Sequence, residues 1–149
     1  MAKFDKPIKS VNFNRKNMKH FKIIALVTLT ALLSSCGSTM LFPLSEVTPA
    51  AEITAKKKKE MSSNYTLTLT AENLASPERL KPPKKYYVIW VVSETGGVRN
   101  AGHFKHKNAE TANYKASFPY HPVEVFITAE EEDALCKPSG IEISRLKLE

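Results

Sequence analysis

Four groups of residues in this chain are of types that do chemistry: His103 and His106, the carboxylates Glu130, Glu131, Glu132 and Asp133, the lysines Lys56 to Lys59, and the two cysteines Cys36 and Cys136. The histidines are three apart, and on a strand odd spacing sends side chains to opposite faces, wrong for sharing one metal ion. On that reading Phe104 and His106 share a face and His103 takes the other. Hard cations such as calcium take six to eight oxygens, but Glu130 to Asp133 match the spacing of no calcium loop and read as a solvated acidic loop. Lys56 to Lys59 read as a charged edge or hairpin end that discourages strand pairing, with anionic headgroups as the alternative partner. Cys136 stands beside Lys137 with no base partner indicated by spacing, and reads as an unpaired structural or loop thiol. A Gly-x-Ser-x-Gly elbow, a paired-histidine zinc helix and a phosphate-binding glycine loop are all missing from the sequence. No catalytic residue, metal or cofactor is therefore expected, and the chain reads as non-enzymatic.

Cys36 has a different setting. Residues 1–22 are polar and basic, and Ile23 to Leu33 is an apolar run diluted only by Thr28 and Thr30. That order is the n-region and h-region of an export signal. Eleven helical residues rise about 16 Å, short of the ~20 residues that cross a bilayer. Leu33-Ser34-Ser35-Cys36-Gly37 follows at once and matches the lipobox of bacterial lipoproteins. Small residues let the extended chain enter the signal peptidase, and the cysteine thiolate takes the diacylglyceryl group. Cleavage before Cys36 then leaves a lipidated N-terminus, and two or three palmitate-type chains give stable anchoring at ~0.8 kcal/mol per buried methylene. Met18-Lys19-His20-Phe21-Lys22 is a compact n-region by itself, so translation is expected to start at Met18. Gly37 and Ser38 supply no aspartate that would argue for inner-membrane retention. The expected location is the outer membrane, facing the periplasm.

The net charge of +7 has to be divided at that cleavage point. Residues 1–35 hold seven Lys/Arg against Asp5, a net +6, and the rest of the chain is nearly neutral at +1. A nucleic-acid binder needs a basic face, so no nucleic-acid partner is expected. Lipid on Cys36 would also block its pairing with Cys136.

The elements that must position these residues are short. Ser38 to Pro49 shows no strand or helix period and reads, with Cys36, as a tether over 36–50. One domain follows over 51–149. Tyr65 to Ala71 alternates strictly, with Tyr65, Leu67, Leu69 and Ala71 inward and the threonines outward. Tyr86 to Val92 is apolar on both faces and reads as a central strand. Tyr114 to Phe118 and Val123 to Thr128 alternate, and the apolar residues from Ile141 to Leu148 change phase by one, which predicts a bulge. Weaker strands at 51–58 and 98–105 bring the total to seven. Breakers such as Pro82-Pro83, Gly96-Gly97, Pro119, Pro122 and Pro138-Ser139-Gly140 separate them. The pattern predicts an all-β, immunoglobulin-like antiparallel β-sandwich, with Trp90 as its core tryptophan.

Tyr87-Val88-Ile89-Trp90, Asn100-Ala101-Gly102-His103-Phe104, Val125-Phe126-Ile127-Thr128-Ala129-Glu130 and Pro138-Ser139-Gly140 resemble the extracytoplasmic C-terminal domain of the anti-sigma-K factor family. The likeness is closer to small bacterial lipoproteins that carry such a domain alone. It covers roughly residues 64–148 and implies a β-sandwich. Where the family has a Gly-rich stretch, this chain has Glu131 to Lys137. Anti-sigma factors hold their sigma factor with a cytoplasmic segment joined to a transmembrane helix. Neither is read in this sequence, so sigma-factor inhibition does not carry over, and the resemblance supplies no catalytic residues.

The sequence thus predicts a membrane-anchored envelope module that binds a partner, an envelope protein, or contributes to envelope structure. A metal-dependent or enzymatic module is one alternative. A sensing domain working with a separate membrane regulator is another. No motif specifies a ligand or an oligomeric state.

Overall fold

The computed structural model describes residues 38–106 and 111–149. Cys36 with Leu33, Ser34 and Ser35, the signal segment 1–35 and Met18 lie outside the described residues.

Among the described residues, nine strands form two antiparallel sheets. They are β1 (Thr39–Leu41), β2 (Glu52–Lys59), β3 (Tyr65–Glu72), β4 (Tyr86–Ser93), β5 (Val98–His103), β6 (Lys105–His106), β7 (Thr111–Phe118), β8 (Pro122–Glu130) and β9 (Ile141–Lys147). One sheet has the order β1-β2-β3-β7-β6 and the other β5-β4-β8-β9. Apart from the short β1, this is the strand distribution of an immunoglobulin-like sandwich. Six of the seven expected strands are present as single strands, and the seventh, 98–105, is divided between β5 and β6.

The alternation read from sequence decides which residues meet between the sheets. Leu67, Leu69 and Ala71 of β3 are fully buried, against Tyr87, Ile89 and Val91 of β4 and Val125, Ile127 and Ala129 of β8. β4 lies between β5 and β8 and is buried on both faces. The bulge expected in the last strand is present: the β8–β9 register shifts between Ile127 and Thr128, opposite Glu142 and Ser144. Ile143 thereby enters the core.

Two segments differ from the sequence reading. Thr39–Leu41, expected within a free tether, pairs with β2 as Thr39 to Lys56, Met40 to Ala55 and Leu41 to Thr54. Phe42 continues the ladder by donating its N–H to Ile53 O at 2.9 Å and buries its ring in the core. Burying a phenylalanine stabilises by roughly 2–3 kcal/mol, and that holds down a stretch whose own pattern is too short to show a period. Ser144 Oγ donates to Pro43 O at 2.7 Å, so the segment is joined to the second sheet as well.

The run 98–105 is not one strand. β5 pairs with β4 through a register shift at Ile89/Trp90, and Gly102 there takes φ of +114°, a conformation that favours glycine. Phe104 then turns into the core, and the chain crosses to the other sheet, where Lys105 and His106 pair with β7.

Candidate functional site

β4 and β8 place a second apolar cluster on the outer face of the four-stranded sheet. Val88, Trp90 and Phe126 form it, with Tyr86, Val92 and Leu135 packed against them. Trp90, expected in the core between the sheets, is instead fully buried on this outer face. The reason is parity: Tyr87, Ile89 and Val91 take the inner face, so Trp90 must point out. Its cover is the β8–β9 loop, residues 131–140.

That loop is braced by polar side chains from three strands. Trp90 Nε1 donates to Thr128 Oγ1 at 2.8 Å, and Thr128 Oγ1 donates to Glu130 Oε1 at 2.7 Å. The Glu130 carboxylate also accepts from Ser139 N and Ser139 Oγ, each at 3.0 Å. From the other side Asn100 Nδ2 donates to Asp133 O at 2.7 Å and Leu135 O at 2.9 Å, while its Oδ1 accepts from Gly102 N at 2.8 Å. Gly140 is required by close approach, because a Cβ there would lie 1.9 Å from Ala129 O. The opposite edge of the face is capped by Arg145, whose guanidinium sits 4.0 Å from the Phe126 ring centre and is held by Glu142 and Glu124.

The four carboxylates expected in a solvated loop therefore have separate fates. Glu130 is only 1% exposed. Burial pushes its carboxyl pKa up, but the bonds from Thr128, Gly140 and Ser139 outweigh it and hold the group below its ordinary value. Glu131 faces Lys84 at 3.5 Å and Lys85 at 4.0 Å. Asp133 meets His103 Nδ1 at 3.3 Å, and the His103 ring also lies against Tyr86. Glu132 is exposed. Beside the loop is a cavity of about 210 Å³ lined by Lys84, Glu130, Glu131, Leu135 and Ser139.

His103 ends β5 and His106 lies in β6, one in each sheet. Among the described residues no group of three or more His, Cys, Asp or Glu could hold a metal ion. Cys136 is exposed in the covering loop. Lys56 to Lys59 finish β2 at its hairpin with β3, and among the described residues only Lys56 of the four has a β1 partner.

Sequence reasoning missed a cluster at that same end of the sandwich. His121 Nδ1 is 2.5 Å from Glu94 Oε1, and its Nε2 is 3.0 Å from Lys57 Nζ. In the tautomer that donates Nδ1–H to Glu94, Nε2 accepts from the lysine. Lys57 also donates to Leu148 O at 3.3 Å, and the imidazole stacks on Tyr65 with ring centres 4.7 Å apart. Burial lowers the Lys57 pKa, against Glu149 and Glu94, which raise it. The one local signal is the bracketing of Tyr120 and His121 by Pro119 and Pro122, and it points to a turn and not to a cluster. The partners come from β2, β3, the β4–β5 turn and the residue just after β9. A larger cavity of about 690 Å³ opens between the end of β5 and β7, lined by His103, Lys105, Tyr114 and Lys115 among others.

No family model, no curated protein and no solved structure matches the chain. The site is therefore read from its own chemistry.

Proposed function

We propose that the protein is a lipid-anchored envelope lipoprotein, anchored through Cys36 in the outer membrane and facing the periplasm, whose sandwich presents the β8–β9 loop to an envelope protein. It acts by binding and not by catalysis. The observation that carries this reading is where the polar motif residues point. Thr128, Glu130, Ser139 and Asn100 are bonded to one another and to loop backbone. They fix a loop whose outward groups, Glu131 and Glu132, remain exposed. Loops positioned by a rigid sheet scaffold carry a disproportionate share of binding residues. The engagement of three of the four carboxylates by protein groups favours recognition over a metal-dependent module.

A second reading is an extracytoplasmic sensing domain that works with a separate membrane regulator. It is favoured by the resemblance to the anti-sigma-K family, since some of the residues that carry the likeness, Trp90, Asn100, Thr128, Glu130 and Ser139, brace the loop.

The test is intact mass and membrane partition of the protein from its native host, beside Cys36→Ser. The expected result is diacylglyceryl mass on an N-terminal Cys36 and a variant that is soluble or unprocessed. An unlipidated, soluble wild type overturns the anchor. Photocrosslinking from position 132 should then capture an envelope protein that is not captured from position 68, on the opposite sheet. Equal capture from both overturns the loop as the recognition element.

A further inference from the structure

We infer that the anchored domain lies against the membrane with its β2–β3 hairpin lysines on an anionic phospholipid surface; this rests on lipidation of Cys36. A free tether of about a dozen residues would let the domain tumble tens of ångströms from the lipid. The pairing of Thr39 with Lys56 removes that freedom. Only Gly37 and Ser38 separate Cys36 from β1, so the Cα atoms of Cys36 and Thr39 are at most about 11 Å apart. Thr39 in turn is the cross-strand neighbour of Lys56.

The surface brought to the lipid has matching chemistry. Lys56, Lys58 and Lys59 are exposed, and Lys56 and Lys59 have no carboxylate partner among the described residues. Lys58 meets Glu60 at 3.4 Å, an exposed pair that screening makes weak. Lys115 lies in the same cross-strand row as Lys56, through Thr68. The hairpin tip carries Met61, fully exposed, an apolar side chain able to enter the headgroup layer. Acidic groups at this end among the described residues include Glu60, Glu94 and Glu149, and Glu124, which is held by Arg145. Glu94 is taken by His121. The covering loop with Cys136 lies on the outer face of the other sheet and would face away from the lipid.

The experiment uses the lipidated protein purified from host membranes and reconstituted in vesicles, with intact mass measured on the same sample. One probe is attached at Cys136. A second is attached at position 62 in Ser62→Cys/Cys136→Ser, and both are read with headgroup-bound quenchers in vesicles with and without phosphatidylglycerol. Strong quenching at position 62, weak quenching at Cys136, and dependence on the anionic lipid are expected. Lys56→Glu/Lys58→Glu/Lys59→Glu should weaken the docked state by about fivefold per lysine at low salt, and the change should vanish in neutral vesicles. Lipid-bearing protein with equal quenching at both positions overturns this orientation alone. Quenching at position 62 that ignores both the lysines and the lipid charge overturns the electrostatic part. A sample without lipid on Cys36 removes this inference together with the anchor.

Discussion

The two outer faces of the sandwich solve the same problem in opposite ways. On the five-stranded sheet, Thr66, Thr68 and Thr70 of β3 stand in rows with Lys56, Lys115, Ser117 and Asn113. Their hydroxyls pair across strands, as in Thr66 Oγ1 to Ser117 Oγ at 2.9 Å and Thr70 Oγ1 to Asn113 Oδ1 at 3.3 Å. That face is content in water. The four-stranded sheet instead puts Val88, Trp90 and Phe126 outward, and such a face must be covered. The cover is a loop, and a loop cannot be buried against apolar side chains without satisfying its backbone. Asn100 and Glu130 do that work, so the buried carboxylate follows from the outward tryptophan.

The comparison can be broken from the largest effect downward. Trp90→Ala should cost about 3–5 kcal/mol in urea unfolding, because it empties the space under the loop. Gly140→Ala should cost about 3 kcal/mol through its clash with Ala129 O; a stability within ~0.5 kcal/mol of wild type would show that the loop is not pinned there. Glu130→Gln should lose about 2–3 kcal/mol, since one amide cannot replace a carboxylate accepting from Thr128 and Ser139. The pH dependence has a defined sign. The folded-state pKa of Glu130 lies below its ordinary 4.5, so the unfolded chain takes up the proton first. Its stabilisation is complete above the unfolded value and is lost as pH falls through the lower folded one. Acid unfolding curves of wild type and Glu130→Gln should therefore draw together as pH falls below the unfolded carboxyl value, and curves that stay parallel would remove the ionised carboxylate from the account. Asn100→Ala should cost about 1–2 kcal/mol, with faster amide exchange in residues 133–136 as the specific readout. On the bare face, Thr68→Ala should change stability by less than about 0.5 kcal/mol. A loss as large as that of Asn100→Ala would mean that the two faces are not different in kind.

Much of the fold was legible because strand parity is written residue by residue. The Tyr65 to Ala71 alternation, the doubly apolar Tyr86 to Val92 and the phase change after Ile143 each reported a feature that is present. What escaped depends on partners far away in sequence. Thr39–Leu41 has no period of its own and becomes a strand only because β2 offers an edge. Trp90 was legible as buried but not as outward, since burial on a doubly apolar strand does not say which side is the core. Four adjacent carboxylates look solvated, and Thr128 alone does not mark Glu130 off from Glu132; the larger difference lies in Ser139 and Gly140, nine and ten residues on. The residues that hold the cover, Asn100, Thr128, Glu130, Ser139 and Gly140, come from two strands and a loop, so their partnership shows only once the sheet is assembled.

The position of Trp90 has an optical consequence. It is the single tryptophan of the chain, it has no exposed surface, and the loop that braces its surroundings is an independent candidate for local opening. Its emission is therefore a label-free gauge of that loop: blue while the indole is dry, and moving to longer wavelength when the cover lifts, even with the sandwich beneath still intact. A partner that grips the loop would hold the spectrum blue under denaturant that reddens the free protein, and a partner that pries it open would redden it without denaturant.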